Sequence, residues 1–197
     1  MVCHHQTEII NTMFPFIVIW TIWFASEIVL NRLLRSATYG KNDQDKGSTR
    51  IIWITIGIAN TLGILSSVFL KAPLSHLSII QYSGLLMIVA GLIIRFIAIF
   101  SLGRFFTVDV TILDHHELKT DGLYRLIRHP SYLGFLISFF GFGISLNNWI
   151  SLIIIFISVT LAILYRIKIE EQLLTQQFGT EYSDYIKKTF RLIPWIY

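Results

Sequence analysis

Residues 51–70, IIWITIGIANTLGILSSVFL, form twenty consecutive positions without a charge. At about 1.5 Å per residue, a helix of that length covers the roughly 30 Å hydrocarbon core of a bilayer. The run ends at Lys71-Ala72-Pro73. Upstream, a second apolar stretch extends from Phe14 to Leu34, interrupted only by Glu27 and Arg32. Downstream, a third covers 77–102 with one charge, Arg95. Two shorter runs, 132–146 and 149–165, flank Asn147-Asn148 and read as a helical hairpin that turns near an interface. The chain of 197 residues is 54% hydrophobic and 14% charged, about half the charge of an ordinary water-soluble domain. That excludes disorder and disfavours a soluble enzyme. The expected fold is all-α, a polytopic membrane protein of about five transmembrane helices with a cytosolic C-terminal helix, in a single domain over 1–197. Residues 14–100 would carry the first three spans. Residues 101–197 would carry a polar loop, the hairpin and the last helix.

The cations arrange themselves around these runs. Of sixteen Lys and Arg, five flank the first loop (Arg32, Arg35, Lys41, Lys46, Arg50) and five belong to the third (Arg95, Arg104, Lys119, Arg125, Arg128). Five more follow the last span (Arg166, Lys168, Lys187, Lys188, Arg191), leaving Lys71 alone in the second loop. Basic residues mark the cytoplasmic side, so the N-terminus is expected outside and the C-terminus inside. The net charge of +4 is therefore read as topology, with no nucleic-acid partner. The first apolar run lacks a preceding basic region and reads as a span rather than a cleavable signal. Cys3, the single cysteine, excludes an internal disulfide.

Polar residues that folding does not need gather on the cytosolic side, in 103–131 and just after 165. Arg166 and Glu170 lie one helical turn apart at the membrane boundary, where ionisable groups are costly unless paired or used. Each has a bland alternative: Arg166 as an interface anchor, Glu170 as its surface partner. His115-His116 lack the i, i+4 spacing of helix-borne zinc ligands, and no third ligand is evident, so no metal is expected. Pro130 suits the first turn of a helix. Glu27 and Arg95, inside apolar runs, are either functional or a structural pair. Leu174, Phe178, Tyr182 and Tyr185 recur at helical spacing and suggest one amphipathic helix.

RHPSYLG at 128–134, the apolar hairpin, RIKIEE at 166–171 and FGTEYSDYIKKTFRLIP at 178–194 together resemble the isoprenylcysteine carboxyl methyltransferase family. That family's pattern is Arg-His-Pro-X-Tyr-X-Gly, a hydrophobic segment, then Glu-Glu. LGRFFTVDVTI at 102–112 and HELKTDGLYRLIRHP at 116–130 fit as well. The likeness covers about residues 90–197, and the first two spans carry no signature. The resemblance implies S-adenosylmethionine as methyl donor, with S-adenosylhomocysteine as product. By motif position the donor pocket would include His116, Leu118, Lys119, Tyr124, His129, Pro130, Ser131, Tyr132 and Glu170. Arg166 would be catalytic and, with Glu171, would meet the acceptor. The acceptor implied is a lipophilic carboxylate such as an isoprenylated cysteine, entering from the bilayer. No obligate protein partner is implied. A compact chain of this kind resembles prokaryotic or archaeal members. The location would be the cell membrane in a prokaryote or the endoplasmic reticulum in a eukaryote, with the site facing the cytoplasm. Two other enzymes share features of this pattern. A phospholipid N-methyltransferase would need its amine deprotonated, which a pocket arginine disfavours. A nicotinamide-dependent sterol-type reductase would want more basic residues in the third loop.

Overall fold

The structure is a computed structural model that describes the backbone of residues 2–33, 45, 47–103 and 118–194. Side chains are described at 14–32, 45, 47–103 and 118–194. Among the described residues six α-helices follow in chain order: α1 Val2–Leu33, α2 Ser48–Phe69, α3 Ile79–Leu102, α4 Pro130–Ser145, α5 Trp149–Phe178 and α6 Thr180–Lys188. A 3-10 turn, Gly122–Arg125, precedes α4. In α1, α2, α3 and α5, four stretches are long and apolar enough to cross a membrane, the one in α1 being Phe14–Arg32. The remaining expected span is α4, whose 16 residues rise only about 24 Å.

Two helix boundaries differ from the sequence reading. Helix α1 begins at Val2, twelve residues before apolarity sets in, and α5 runs past Tyr165 to Phe178. A helix stops at a breaker rather than at a change of polarity, and 166–178 holds neither glycine nor proline. The break comes at Gly179, whose φ of 53° suits a residue without Cβ. The expected single amphipathic helix is thereby divided between α5 and α6.

The Asn147-Asn148 turn explains how the hairpin is held. Asn147 adopts a positive φ of 49°, and its side chain exchanges hydrogen bonds with Ser75. Asn148 caps α5 by accepting from Ser151 N at 3.0 Å. Its amide nitrogen donates to Leu70 O at 2.7 Å, taking a carbonyl at the end of α2. Trp149 N donates to Ala72 O, so the Lys71 loop and the hairpin turn lie at one end of the bundle.

The packing follows membrane rules. Long aliphatic side chains such as Ile54, Ile58, Leu86, Ile93, Ile157 and Leu161 point outward. Ser48, Ser138, Ser145 and Ser151 are buried. Lipid is as apolar as leucine, so helices associate through close contact and polar links rather than by excluding water. At Gly91 a Cβ would lie 2.5 Å from Gly134 O, and at Gly134 it would lie 2.6 Å from Gly91 O. Helices α3 and α4 therefore meet backbone to backbone. Trp23 of α1 closes the other side, edge-on to Phe139 with ring centroids 4.7 Å apart.

Candidate functional site

The site forms at the opposite end of the bundle, where α2 begins, α4 begins and α5 leaves its apolar stretch. Pro130 stands in the first turn of α4, where its missing N–H costs nothing. His129 precedes it, and Ser131 and Tyr132 follow on the same turn. One long helix, α5, presents Arg166, Glu170 and Glu171 to them.

Arg166 is 4% exposed and its fork is filled by its own chain. Nε donates to Tyr132 Oη at 2.7 Å. Nη1 donates to Asp45 Oδ1 at 3.0 Å, Ser48 Oγ at 2.9 Å and Thr49 Oγ1 at 2.8 Å. The Asp45 carboxylate in turn accepts from Ser48 Oγ and Thr49 N, satisfying donors at the start of α2. A carboxylate thus sits where a cationic fork, hydroxyls and a helix N-terminus converge.

Tyr132 links this arginine to a second group. Its ring stacks on His129, with centroids 5.6 Å apart and an interplanar angle of 24°. His129 is buried and faces both glutamates, with Nδ1 3.8 Å from Glu170 Oε2 and Nε2 3.4 Å from Glu171 Oε1. The two glutamates differ sharply. Glu171 is held by Arg128 Nε at 3.0 Å and by Arg191 Nη2 at 2.7 Å. Glu170 has its Oε2 buried, yet that oxygen accepts no hydrogen bond among the described residues.

The C-terminal segment buttresses the site. Phe190 N donates to Leu126 O at 2.9 Å and Arg128 N to Phe190 O at 2.8 Å. Arg128 also donates to the carbonyl of Thr189. Tyr185 Oη donates to Tyr124 O at 2.5 Å, and Tyr124 Oη to Ala98 O at 3.3 Å. Burial pushes the Tyr185 phenol up to about 12. It lifts Tyr124 further, with the nearby Glu170 carboxylate adding to the effect. Both phenols stay protonated donors at neutral pH.

Of the residues expected from sequence, Tyr124, His129, Pro130, Ser131, Tyr132, Arg166 and Glu170 come together here. Lys119 pairs with Asp121 at 2.7 Å on the exposed side, and Leu118 is half-buried beside it. Glu171, expected against the acceptor with Arg166, is turned instead to Arg128, His129 and Arg191. His116 lies outside the described residues, as do His115, Asp109, Asp114 and Glu117. Asp45, Ser48 and Thr49 were missed. Their only sequence signal is an acid followed by hydroxyl residues at a helix start, which reads as a cap.

Fold and site define a multi-pass helical membrane protein with a buried arginine–tyrosine–histidine–glutamate cluster at one end. The isoprenylcysteine carboxyl methyltransferase (ICMT) family description matches residues 84–176. Protein-S-isoprenylcysteine O-methyltransferase A of Arabidopsis thaliana is 41% identical over 115 residues, 57% of this chain and 58% of that protein. A probable protein-S-isoprenylcysteine O-methyltransferase of Oryza sativa subsp. indica is 37% identical over 134 residues, 67% of this chain and 70% of that protein. A solved eukaryotic intramembrane Ras methyltransferase, isoprenylcysteine carboxyl methyltransferase, superposes with a TM-score of 0.61 at 26% identity. It covers 91% of this chain and 63% of the other. The chain belongs to the isoprenylcysteine carboxyl methyltransferase family. The match spans 58% of the length of the Arabidopsis relative.

Proposed function

We propose that this protein transfers a methyl group from S-adenosylmethionine to the carboxylate of a lipophilic acceptor, a prenylated cysteine or a close chemical relative. The products are a methyl ester and S-adenosylhomocysteine. The observation that carries this reading is Tyr132, which accepts from Arg166 at 2.7 Å and stacks on His129. It places a carboxylate-binding fork next to the His129–Glu170 pair.

The residues fit the donor. Glu170 Oε2 is a buried acceptor without a hydrogen bond among the described residues, suited to an ammonium or ribose hydroxyl. Tyr124 and Tyr132 offer aromatic faces for adenine or the cationic sulfur. Ser131 and His129 line the same turn. His116, Leu118 and Lys119 enter the pocket on sequence alone. When bound, the donor supplies an electrophilic methyl on a positively charged sulfur.

The acceptor side needs little chemistry from the protein. A carboxylate is already ionised and nucleophilic at neutral pH, so no general base is required. Arg166 binds it through its guanidinium, beside the Ser48 and Thr49 hydroxyls, and fixes which oxygen faces the donor. The protein's contribution is alignment and exclusion of water. In this arrangement the acceptor carboxylate takes the place of Asp45 on Arg166. The site faces the cytoplasm, and the lipid tail lies in the bilayer.

The test is methyl transfer from labelled S-adenosylmethionine to a farnesylated cysteine in detergent or liposomes. A base-labile methyl ester is expected. Base-stable product on phosphatidylethanolamine, with none on the cysteine, would replace this reading with an amine acceptor.

A further inference from the structure

Glu27 and Arg95 form an ion pair buried between α1 and α3, and Glu27 lies outside the residues that the family description matches. Arg95 Nε lies 2.7 Å from Glu27 Oε1 and Nη2 lies 2.8 Å from Glu27 Oε2. Their side chains are only 11% and 6% exposed. The Nη2 contact is a hydrogen bond and the Nε contact a close ion-pair approach without hydrogen-bond alignment, so two guanidinium nitrogens face Glu27 and one is left to be aimed elsewhere. That nitrogen, Nη1, donates to Ser131 Oγ at 3.1 Å and to Ser131 O at 3.4 Å. The guanidinium also lies over the Phe135 ring, 4.7 Å from its centroid.

The backbone explains why the fork reaches that turn. A Cβ at Gly134 would lie 2.7 Å from Arg95 N, so α4 rests directly on α3 at Arg95. Ser131 stands one turn back along α4. Three residues further along α3, Ala98 O accepts from the Tyr124 hydroxyl. One turn of α3 therefore anchors two walls of the donor pocket. A buried ion pair is poor evidence of stabilisation, since well-packed apolar residues usually serve a fold as well. A point cation would satisfy Glu27 alone. Only a fork reaches Glu27 and Ser131 together.

We propose that Glu27 and Arg95 are positioning residues for the methyl-donor pocket. Glu27 fixes two nitrogens of Arg95, and the third holds the first turn of α4, on which His129, Ser131 and Tyr132 stand. An element without any family signature thus sets the geometry of the donor site. The proposal rests on the donor-pocket reading above.

The experiment exchanges the charges, Glu27→Arg with Arg95→Glu, in the full-length protein. Thermal stability, S-adenosylhomocysteine affinity by calorimetry and the KM for each substrate are measured. The exchange restores an ion pair but puts a carboxylate, which cannot donate, opposite the Ser131 carbonyl. The expected result is near-wild-type melting with donor affinity weakened by about tenfold or more, the scale of an orienting outer contact. Donor KM rises while acceptor KM stays. Donor affinity restored to within about twofold along with stability would overturn the proposal and leave a folding role only. If the exchanged protein does not fold, Arg95→Lys decides the matter, because it keeps a charge for Glu27 without the fork. Weakened donor binding supports the proposal, and unchanged binding overturns it. Ser131→Ala and Glu170→Ala run alongside. If both bind S-adenosylhomocysteine like wild type, the donor-pocket reading has failed, and this proposal with it.

Discussion

Arg166 holds the carboxylate of Asp45 at 3.0 Å, across 121 residues of chain. The contact joins the start of α2 to the boundary of α5 and occupies the fork that an acceptor carboxylate would use. Ser48 and Thr49 donate to the same acid and receive from the same guanidinium, so they complete a small carboxylate-binding niche.

Asp45→Asn removes the internal competitor while keeping a residue able to cap α2. The KM for a carboxylate acceptor should fall about three- to tenfold with little change in kcat, since tenfold corresponds to roughly 1.4 kcal/mol. Steady-state methylation of a farnesylated cysteine measures it. A higher KM would mean that Asp45 helps to build the acceptor site.

Arg166→Lys keeps the charge and loses the fork. Acceptor kcat/KM should drop by about ten- to a hundredfold, the worth of one lost charge-assisted hydrogen bond. Binding of S-adenosylhomocysteine should stay within about threefold of wild type. Parallel loss of both would move Arg166 into the donor pocket.

Glu171→Gln addresses the buttress rather than the chemistry. It strips the anion from Arg128 and Arg191, which tie 189–191 to the start of α4. Breaking a buried pair costs about 3–5 kcal/mol, so melting should fall clearly and trypsin should cut sooner at Lys187 or Lys188. Arg191→Ala should cost less, because its side chain is 34% exposed and its charge better screened. Equal proteolysis of Glu171→Gln and wild type would show that the strap is held without this cluster.

Gly91→Ala and Gly57→Ala form a matched pair. At Gly91 a Cβ would run into Gly134 O, whereas at Gly57 it meets nothing within 4 Å. The first should destabilise by about 1–3 kcal/mol through overpacking. The second should be neutral or stabilise by up to about 1 kcal/mol. Thermal melts in one detergent compare them, and equal melting points would mean that α3 and α4 are not packed so closely.

Much of this was legible in the sequence. The apolar runs place α2 and α3 to within a few residues, because lipid demands uninterrupted apolar length, whereas α1 and α5 each extend about a dozen residues beyond theirs. The motif at 128–134 and the pair at 170–171 mark the two sides of the site, as chemistry fixes those residue types locally. Three features escaped. Glycine alone divides α5 from α6, and the helical spacing of Leu174, Phe178, Tyr182 and Tyr185 continues through Gly179 and hides the break. Glu170 and Glu171 are adjacent and identical in type, so only the fold reveals that one is clamped by arginines while the other keeps a buried oxygen without a hydrogen bond among the described residues. Asp45 reads as a helix cap, and its meeting with Arg166 depends on how α2 packs on α5.

The most direct test of the central claim is calorimetric binding of S-adenosylhomocysteine to the purified protein and to Glu170→Ala. The buried Oε2 of Glu170, without a hydrogen bond among the described residues, predicts saturable binding to wild type, weakened by about ten- to a hundredfold in the variant, the worth of a hydrogen bond to a charged group. Affinity within about threefold of wild type in folded Glu170→Ala would contradict the account.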